Sequence, residues 1–188
     1  MRNSLGGSTI FETTPVEKYL FSNTRTAWVW LLARLYLGWA WLTAGVGKFN
    51  NPAWIGEDTG KSISGFVKGA LVKTTGEHPD VQGWYAAFLE KIVLPNASFW
   101  SYLIVYGEIL VGIALLLGLF TGVAAFFGAF MNFSFLFAGA VSTNPLMVLV
   151  SLFLILAWKV AGYWGVDYWL LPNLGTPWRP GKVFHEGK

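Results

Sequence analysis

The sequence contains no cysteine and little charge. None of its 188 residues is cysteine, two are histidine, and Asp, Glu, Lys and Arg together make up 12%. The absence of cysteine excludes disulfide-stapled folds, iron–sulfur clusters and thiolate-ligated haem. His78 and His185 lie outside the long apolar segments, so neither is placed to ligate a haem buried among them. No His, Asp and Glu residues show metal-ligand spacing, so no haem, iron–sulfur or metal cofactor is expected.

Apolar residues dominate what is present. The chain is 54% hydrophobic and 18% aromatic, and its charged fraction is half that of an ordinary soluble domain, which is about a quarter charged. The net charge is +3, but lysine and arginine are scattered rather than gathered on one face with stacking aromatic residues. Nucleic acid is therefore not an expected partner. The composition predicts an integral membrane protein surrounded by the lipid bilayer.

Four segments are long and apolar enough to be membrane spans. A helix needs about 20 mostly apolar residues to cross about 30 Å of hydrocarbon. The connections after the second and third segments are so short that the last three spans must be antiparallel neighbours. The sequence thus predicts an all-α membrane domain over 27–171 that contains a four-helix transmembrane bundle. The predicted spans are 27–46, 99–118, 122–141 and 145–164.

The predicted bundle is flanked by two tails and interrupted by one long loop. Residues 1–26 form a polar N-terminal tail, and residues 172–188, rich in proline and glycine, form an extended C-terminal tail. Between the first two spans, apolar residues recur at helical spacing over 59–74 and 80–94, which predicts two amphipathic helices. These helices either anchor the loop at the membrane surface or cover a site as a lid. Lysine and arginine are slightly more numerous on the side of the termini, so both termini are expected in the cytoplasm.

Three polar residues lie within the first three predicted spans. At a rise of about 1.5 Å per residue, Arg34 lies about 10 Å, and Glu108 and Asn132 about 15 Å, from the side of the termini. Lys48 follows Arg34 on the same helix face, at the opposite end of the span. We therefore expect Arg34, Glu108 and Asn132 to meet inside the bundle, with Lys48 at the outer end of the same groove.

Two interpretations of this cluster are open. In the structural one, Arg34 and Glu108 form a buried ion pair that fixes the helix register together with Asn132. In the functional one, the ionisable groups mark a site, as intramembrane charges generally do. Arg34 would then present a bidentate cation to an oxyanion or a quinone carbonyl, and Glu108 would orient it or carry a proton. Arg34 and Glu108 are the candidate catalytic residues, and Lys48 and Asn132 the candidate substrate-binding residues.

Three stretches resemble motifs of the DoxX/DoxD family. Arg34–Phe49 resembles the first-span signature, which has an arginine, a glycine four residues later and a glycine–lysine pair at the span end. Glu108–Thr121 is similar to the family's glutamate-to-glycine segment and the turn after it, and Ala161–Leu170 to the DoxD-type end of the fourth span. The resemblance extends from Arg34 to about Leu171.

The resemblance implies a four-helix membrane subunit linked to redox chemistry. Such a subunit is similar to the large subunit of thiosulfate:quinone oxidoreductase. That enzyme passes electrons from thiosulfate to membrane quinone, and its large subunit works with a second, smaller one. The resemblance further implies quinone as the cofactor, other membrane or peripheral protein subunits as partners, and the cytoplasmic membrane of a prokaryote as the location. The alternative is a non-catalytic accessory subunit of a larger respiratory or photosynthetic membrane complex, so the sequence leaves open whether the chain is an enzyme.

Overall fold

The fold is built almost entirely from helices. A computed structural model describes residues 13–175 and, before them, two short strands, β1 (Ser4–Leu5) and β2 (Ser8–Thr9), which pair antiparallel. Single-turn helices of other types connect several of the α-helices. The α-helices are α1 Pro15–Ser22, α2 Ala27–Phe49, α3 Lys61–Leu71, α4 Gly83–Phe88, α5 Ala97–Leu117, α6 Thr121–Phe137, α7 Asn144–Leu156, α8 Trp158–Ala161 and α9 Asp167–Leu174.

The two longest α-helices, α2 and α5, form an antiparallel pair held close by glycines. A Cβ atom added to Gly112 would lie 2.6 Å from the backbone nitrogen of Leu42, and one added to Gly45 would lie 2.9 Å from that of Ile109. Small residues at such positions allow helix backbones to approach without side chains between them. The hairpin of α6 and α7 packs beside this pair, and the four helices enclose the main apolar core.

Two helical segments, Thr24–Phe49 and Gly83–Leu117, are long and apolar enough to cross a membrane. The predicted third and fourth spans overlap two shorter apolar helices, α6, which ends at Phe137, and α7, which ends at Leu156. Gly139, with a φ of 71°, turns the chain sharply after α6. Ala157, which is fully buried, separates α7 from α8, although nothing in its sequence neighbourhood is a helix breaker.

The segment between α2 and α5 folds against the end of the bundle and has its own apolar core. Helix α3 buries Ile63, Val67 and Ala70, as its predicted apolar stripe requires. The second predicted helix, over 80–94, has a different form. It starts as α4, passes through one π-helical and one 3₁₀ turn, and continues into α5 without a loop. Pro95 does not end the helical segment, because it lies at the start of the 3₁₀ turn. At that position the backbone N–H that proline lacks is not needed for a hydrogen bond within the turn.

Both predicted tails are partly helical. Within 1–26, Thr14 begins α1 by accepting a hydrogen bond from the Glu17 backbone nitrogen at 3.2 Å, a standard N-cap. Phe21 then stacks on Trp30, with 5.5 Å between ring centroids. Residues 172–174 belong to α9 rather than to an extended tail, and the bond from the Gly175 nitrogen to the Leu171 carbonyl, at 2.9 Å, closes this helix. The rest of the predicted C-terminal tail, 176–188, lies outside the described residues.

Candidate functional site

Lys48 and Glu108 form an ion pair at the end of the bundle that faces the loop. The Lys48 Nζ donates to both carboxylate oxygens of Glu108, at 2.9 Å and 2.7 Å. The Glu108 side chain is 1% exposed, whereas that of Lys48 is 23% exposed. The ring of Trp54, from the loop, lies 5.4 Å from the ammonium, within the range of a cation–π contact. The pair is therefore buried on its acidic side and partly accessible on its basic side.

Arg34 lies at the other end of the bundle and binds backbone carbonyls. Its Nη1 donates to the carbonyl oxygens of Leu115 at 2.8 Å and Leu116 at 3.1 Å, and its Nη2 to that of Trp164 at 3.0 Å. The last carbonyls of a helix have no partner within that helix, and a positive charge there is stabilised by the helix dipole. Arg34, which is 1% exposed, thus caps the C-terminus of α5 and ties it to the segment after α8.

The predicted meeting of Arg34 with Glu108 is therefore wrong, and the helix register explains why. Gly38 packs against Leu116 and Gly45 against Ile109. Arg34 consequently faces the end of α5, while Glu108 lies near the level of Gly45, about 16 Å further along α2. The depths predicted from the sequence would hold only if the first two predicted spans ended level with each other. The packing of Gly38 against Leu116 shows that they do not. The cation that reaches Glu108 is Lys48, four α-helical turns beyond Arg34 on the same face.

Asp167 is a buried charged residue whose structural role the sequence analysis missed. Its side chain is 3% exposed, and its Oδ1 and Oδ2 accept hydrogen bonds from the backbone nitrogens of Phe120 at 2.7 Å and Thr121 at 2.8 Å. These nitrogens belong to the N-terminus of α6, where negative charge is favoured. The start of α6 could have indicated this role. The residues just before α6 provide no side-chain cap, so a cap has to come from elsewhere in the chain.

Asn132 is fully buried, but neither of its amide atoms has a hydrogen-bond partner among the residues that the structure describes. The predicted contact with Arg34 or Glu108 is therefore not made by a direct hydrogen bond. The hydroxyl of Ser151 and the indole nitrogen of Trp41 are likewise buried and unpartnered in the described part of the chain. Neither Ser151 nor Trp41 stands out in the sequence, since single serines and tryptophans are common in apolar helices.

Comparison with known proteins identifies the family of the chain. The family model for DoxX matches residues 29–140, which is more than half of the sequence. The chain belongs to the DoxX family. The match covers α2 to α6 and so includes Arg34, Lys48, Glu108 and Asn132. Neither a curated protein nor a solved structure matches the chain.

Family membership and the apolar helices together make this DoxX chain an integral membrane protein. Large apolar side chains point outward from its long helices, as lipid contact requires; Trp39 is 64% exposed, Leu110 66% and Phe130 62%. Residues 13–175 contain no group of three His, Cys, Asp or Glu side chains that could hold a metal ion. The expected absence of a metal cofactor stays a prediction.

The chemistry available to the site follows from these contacts. In the DoxX chain the Lys48 ammonium has three donors, of which two are directed at Glu108. Its partial exposure leaves it able to contact an anion or a carbonyl oxygen. The Glu108 carboxylate can hold a proton if Lys48 turns to such a ligand, because a buried carboxylate without its cation is strongly disfavoured. The guanidinium nitrogens Nη1 and Nη2 of Arg34 are already directed at carbonyls.

Proposed function

We propose that this DoxX chain is the four-span membrane subunit of an oxidoreductase that works with a partner subunit. The four spans would be α2, α5, α6 and the combined segment α7–α8. Helices α6 and α7 alone rise about 25 Å and about 20 Å, less than the full hydrocarbon thickness. The inclusion of α8 lengthens the last span, and the outward apolar side chains of all four helices support their contact with lipid. In this arrangement both termini lie on the cytoplasmic side of a prokaryotic membrane.

The proposed reaction is electron transfer from thiosulfate to a membrane quinone. Two thiosulfate ions joined by a new S–S bond would release two electrons as tetrathionate forms, and reduction of a quinone to the quinol takes up these electrons with two protons, one from a side chain of the site and one from water. The site therefore needs a group that binds an oxygen atom and a group that supplies a proton. The ion pair of Lys48 and Glu108 carries this proposal, because it offers both groups in one place. Lys48 would bind the substrate oxygen, Glu108 would deliver a proton, and Asn132 would support the site from inside the bundle.

Arg34 is given a positioning role in this proposal. The guanidinium donates to carbonyls at the end of α5, and α5 is the helix that carries Glu108. Lys48, and not Arg34 as the sequence suggested, would therefore be the cation that contacts the substrate. Electrons would have to move directly between bound substrates or through groups of the partner chain, since the sequence contains no cysteine and no histidine within the bundle helices.

Activity in membranes tests the redox proposal. The chain is expressed together with the subunits that co-purify with it in mild detergent, and quinone reduction is followed after addition of thiosulfate. We expect thiosulfate-dependent quinone reduction that requires the partner, and at least a tenfold loss in Lys48→Met. Lys68→Met is the matched control, because Lys68 is an exposed lysine on α3, and it should retain full activity. Absence of thiosulfate-dependent reduction in native membranes, or full turnover by the purified chain alone, would contradict the proposal.

A non-catalytic accessory subunit is the second candidate. It is favoured by the broad outward aromatic surface of α6, on which Phe126, Phe127 and Phe130 are each more than half exposed. Such a surface suits packing against another membrane subunit as well as lipid. This function would be supported if the chain co-purifies with a complex whose assembly, rather than its turnover rate, depends on the chain.

A further inference from the structure

Six buried side chains have at least one polar atom without a hydrogen-bond partner in the described structure; those of Arg34, Ser101 and Thr121 lie nearer the helix ends, and the other three lie in the middle of the bundle. These three are Asn132 and Ser151, both 0% exposed, and Trp41, 2% exposed. Their unpartnered atoms are both amide atoms of Asn132, the Ser151 hydroxyl and the Trp41 indole nitrogen. They come from three different helices, α6, α7 and α2.

The three side chains occupy one layer of the bundle. Trp41 packs on Gly128, where an added Cβ would lie 2.9 Å from the indole nitrogen, and Asn132 is one turn further along the same face of α6. Asn132 lies about 8 Å before the end of α6, and Ser151 lies about 10 Å after the start of α7. Because α6 and α7 are neighbours joined by only six residues, these two positions are nearly level.

Glu108 belongs to the same layer. An added Cβ at Gly107 would lie 3.4 Å from the sulfur of Met131, which places the neighbours Glu108 and Asn132 at equal depth on α5 and α6. A carboxylate can accept about four hydrogen bonds. Within the described residues, Lys48 alone donates to Glu108. The carboxylate therefore has accepting capacity to spare on its buried side.

Two other hydroxyl groups of the bundle helices are satisfied by their own helix, whereas those of Ser101 and Thr121 are buried without a partner in the described structure. The Ser134 hydroxyl donates to the Phe130 carbonyl at 3.0 Å, and the Thr43 hydroxyl to the Trp39 carbonyl at 2.8 Å. Ser151 has no such bond. A buried polar group left without a hydrogen bond costs about 1–3 kcal/mol. The unsatisfied atoms of Asn132, Ser151 and Trp41 lie close together in depth, and something that both donates and accepts hydrogen bonds would satisfy them together.

We infer that internal water molecules occupy this layer and connect Asn132, Ser151 and Trp41 to the Glu108 carboxylate. The indole can only donate, whereas the amide and the hydroxyl both donate and accept. A buried water makes about three hydrogen bonds and suits such a mixed set. The result is a hydrated polar layer beside the ion pair, with a hydrogen-bonded path that leads from Glu108 into the bundle. The inference does not depend on the proposed redox function.

Magnetisation transfer from water in solid-state NMR tests the inference directly on the full chain in lipid bilayers. With ¹⁵N-labelled asparagine and tryptophan, the side-chain N–H signals of Asn132 and Trp41 should receive magnetisation from water. Ser151→Ala should reduce this transfer at least twofold, and Ser134→Ala, the matched control, should leave it unchanged. Backbone-linked assignment identifies both signals in the unmodified protein, so the main result does not require that any variant folds.

Two results would overturn the inference. The first is a dry layer, in which neither side-chain signal receives magnetisation from water while the partly exposed amide of Asn144 does. The second is an organic molecule in place of water. It would appear by mass spectrometry as a compound released in stoichiometric amount from the denatured protein and absent after Asn132→Leu.

Discussion

Helix α2 carries one buried or partly buried cation toward each of its ends. One cation has neutral backbone carbonyls as partners, and the other has a charged carboxylate. Arg34 donates to the carbonyl oxygens of Leu115, Leu116 and Trp164, whereas Lys48 donates to the carboxylate of Glu108. Both lie on the same face of the same helix. Depth in the membrane and helix face therefore do not determine the role of a buried charge. Its role is determined by the group that the neighbouring helix places beside it.

The surroundings of the two cations reinforce the difference. At the Arg34 end, Asp167 binds the nitrogens that begin α6, so both charges stabilise helix ends and keep the α5–α6 turn in place. At the Lys48 end, the charges neutralise each other and the lysine is partly exposed. The first end serves the fold, and the second is the one at which we propose ligand binding.

Arg34→Gln is expected to have the largest effect on stability. The substitution leaves the buried carbonyl groups of α5 and Trp164 without a charged donor, so the free energy of unfolding should fall by about 3–5 kcal/mol, as for other broken buried charge contacts. Unfolding in detergent, followed by circular dichroism, measures the change. Arg25→Gln removes an exposed arginine and should change little. A loss below about 1 kcal/mol would contradict the capping role of Arg34.

A double-mutant cycle should locate the ion pair at Lys48 rather than at Arg34. Lys48→Met alone should lower the free energy of unfolding by about 2–3 kcal/mol, because it leaves Glu108 buried without its cation. Adding Glu108→Gln should restore part of that loss. In contrast, the effects of Arg34→Gln and Glu108→Gln should add within about 0.5 kcal/mol, since the two residues share no contact. Additivity at Lys48 together with coupling at Arg34 would reverse the comparison.

Asp167→Asn should have an intermediate effect. The amide keeps one acceptor but turns a donor toward the second backbone nitrogen of α6, and the favourable charge at the helix N-terminus is lost. We expect a loss of about 1–2 kcal/mol in the free energy of unfolding. The exposed Asp58, changed to Asn in the same way, serves as the control. Equal stability of both variants would show that Asp167 does not cap α6.

Tyr85→Phe is expected to have the smallest effect, and it acts on the loop at the Lys48 end. The Tyr85 hydroxyl donates to the Ser134 carbonyl at 2.8 Å and so fastens α4 to α6. Its removal should cost about 1 kcal/mol and should raise hydrogen exchange in α3 and α4 without affecting α9. Tyr102→Phe, at a half-exposed tyrosine, should leave exchange unchanged. Unaltered exchange in Tyr85→Phe would mean that this bond does not hold the loop.

Much of the local structure could be predicted because it depends on neighbouring residues. Apolar runs marked α2 and α5, and helical spacing marked the buried face of α3. The three polar residues selected within the spans, Arg34, Glu108 and Asn132, are indeed buried, since in an apolar helix a polar side chain tends to turn away from lipid. The family motif of Arg34–Phe49 also proved informative, because the DoxX family model covers it.

The sequence by itself determined that the segments of α2, α3 and α5 are helical and that Arg34, Glu108 and Asn132 must be buried. Only the tertiary structure decided which of them meet. The close packing of Gly45 and Gly112 sets the register of α2 against α5, and this register separates Arg34 from Glu108 and brings Lys48 to it. The cap formed by Asp167 likewise depends on groups distant in sequence. Helical periodicity contains no information on how far one helix slides along another, so the contacts of the site could not be predicted before the packing was known.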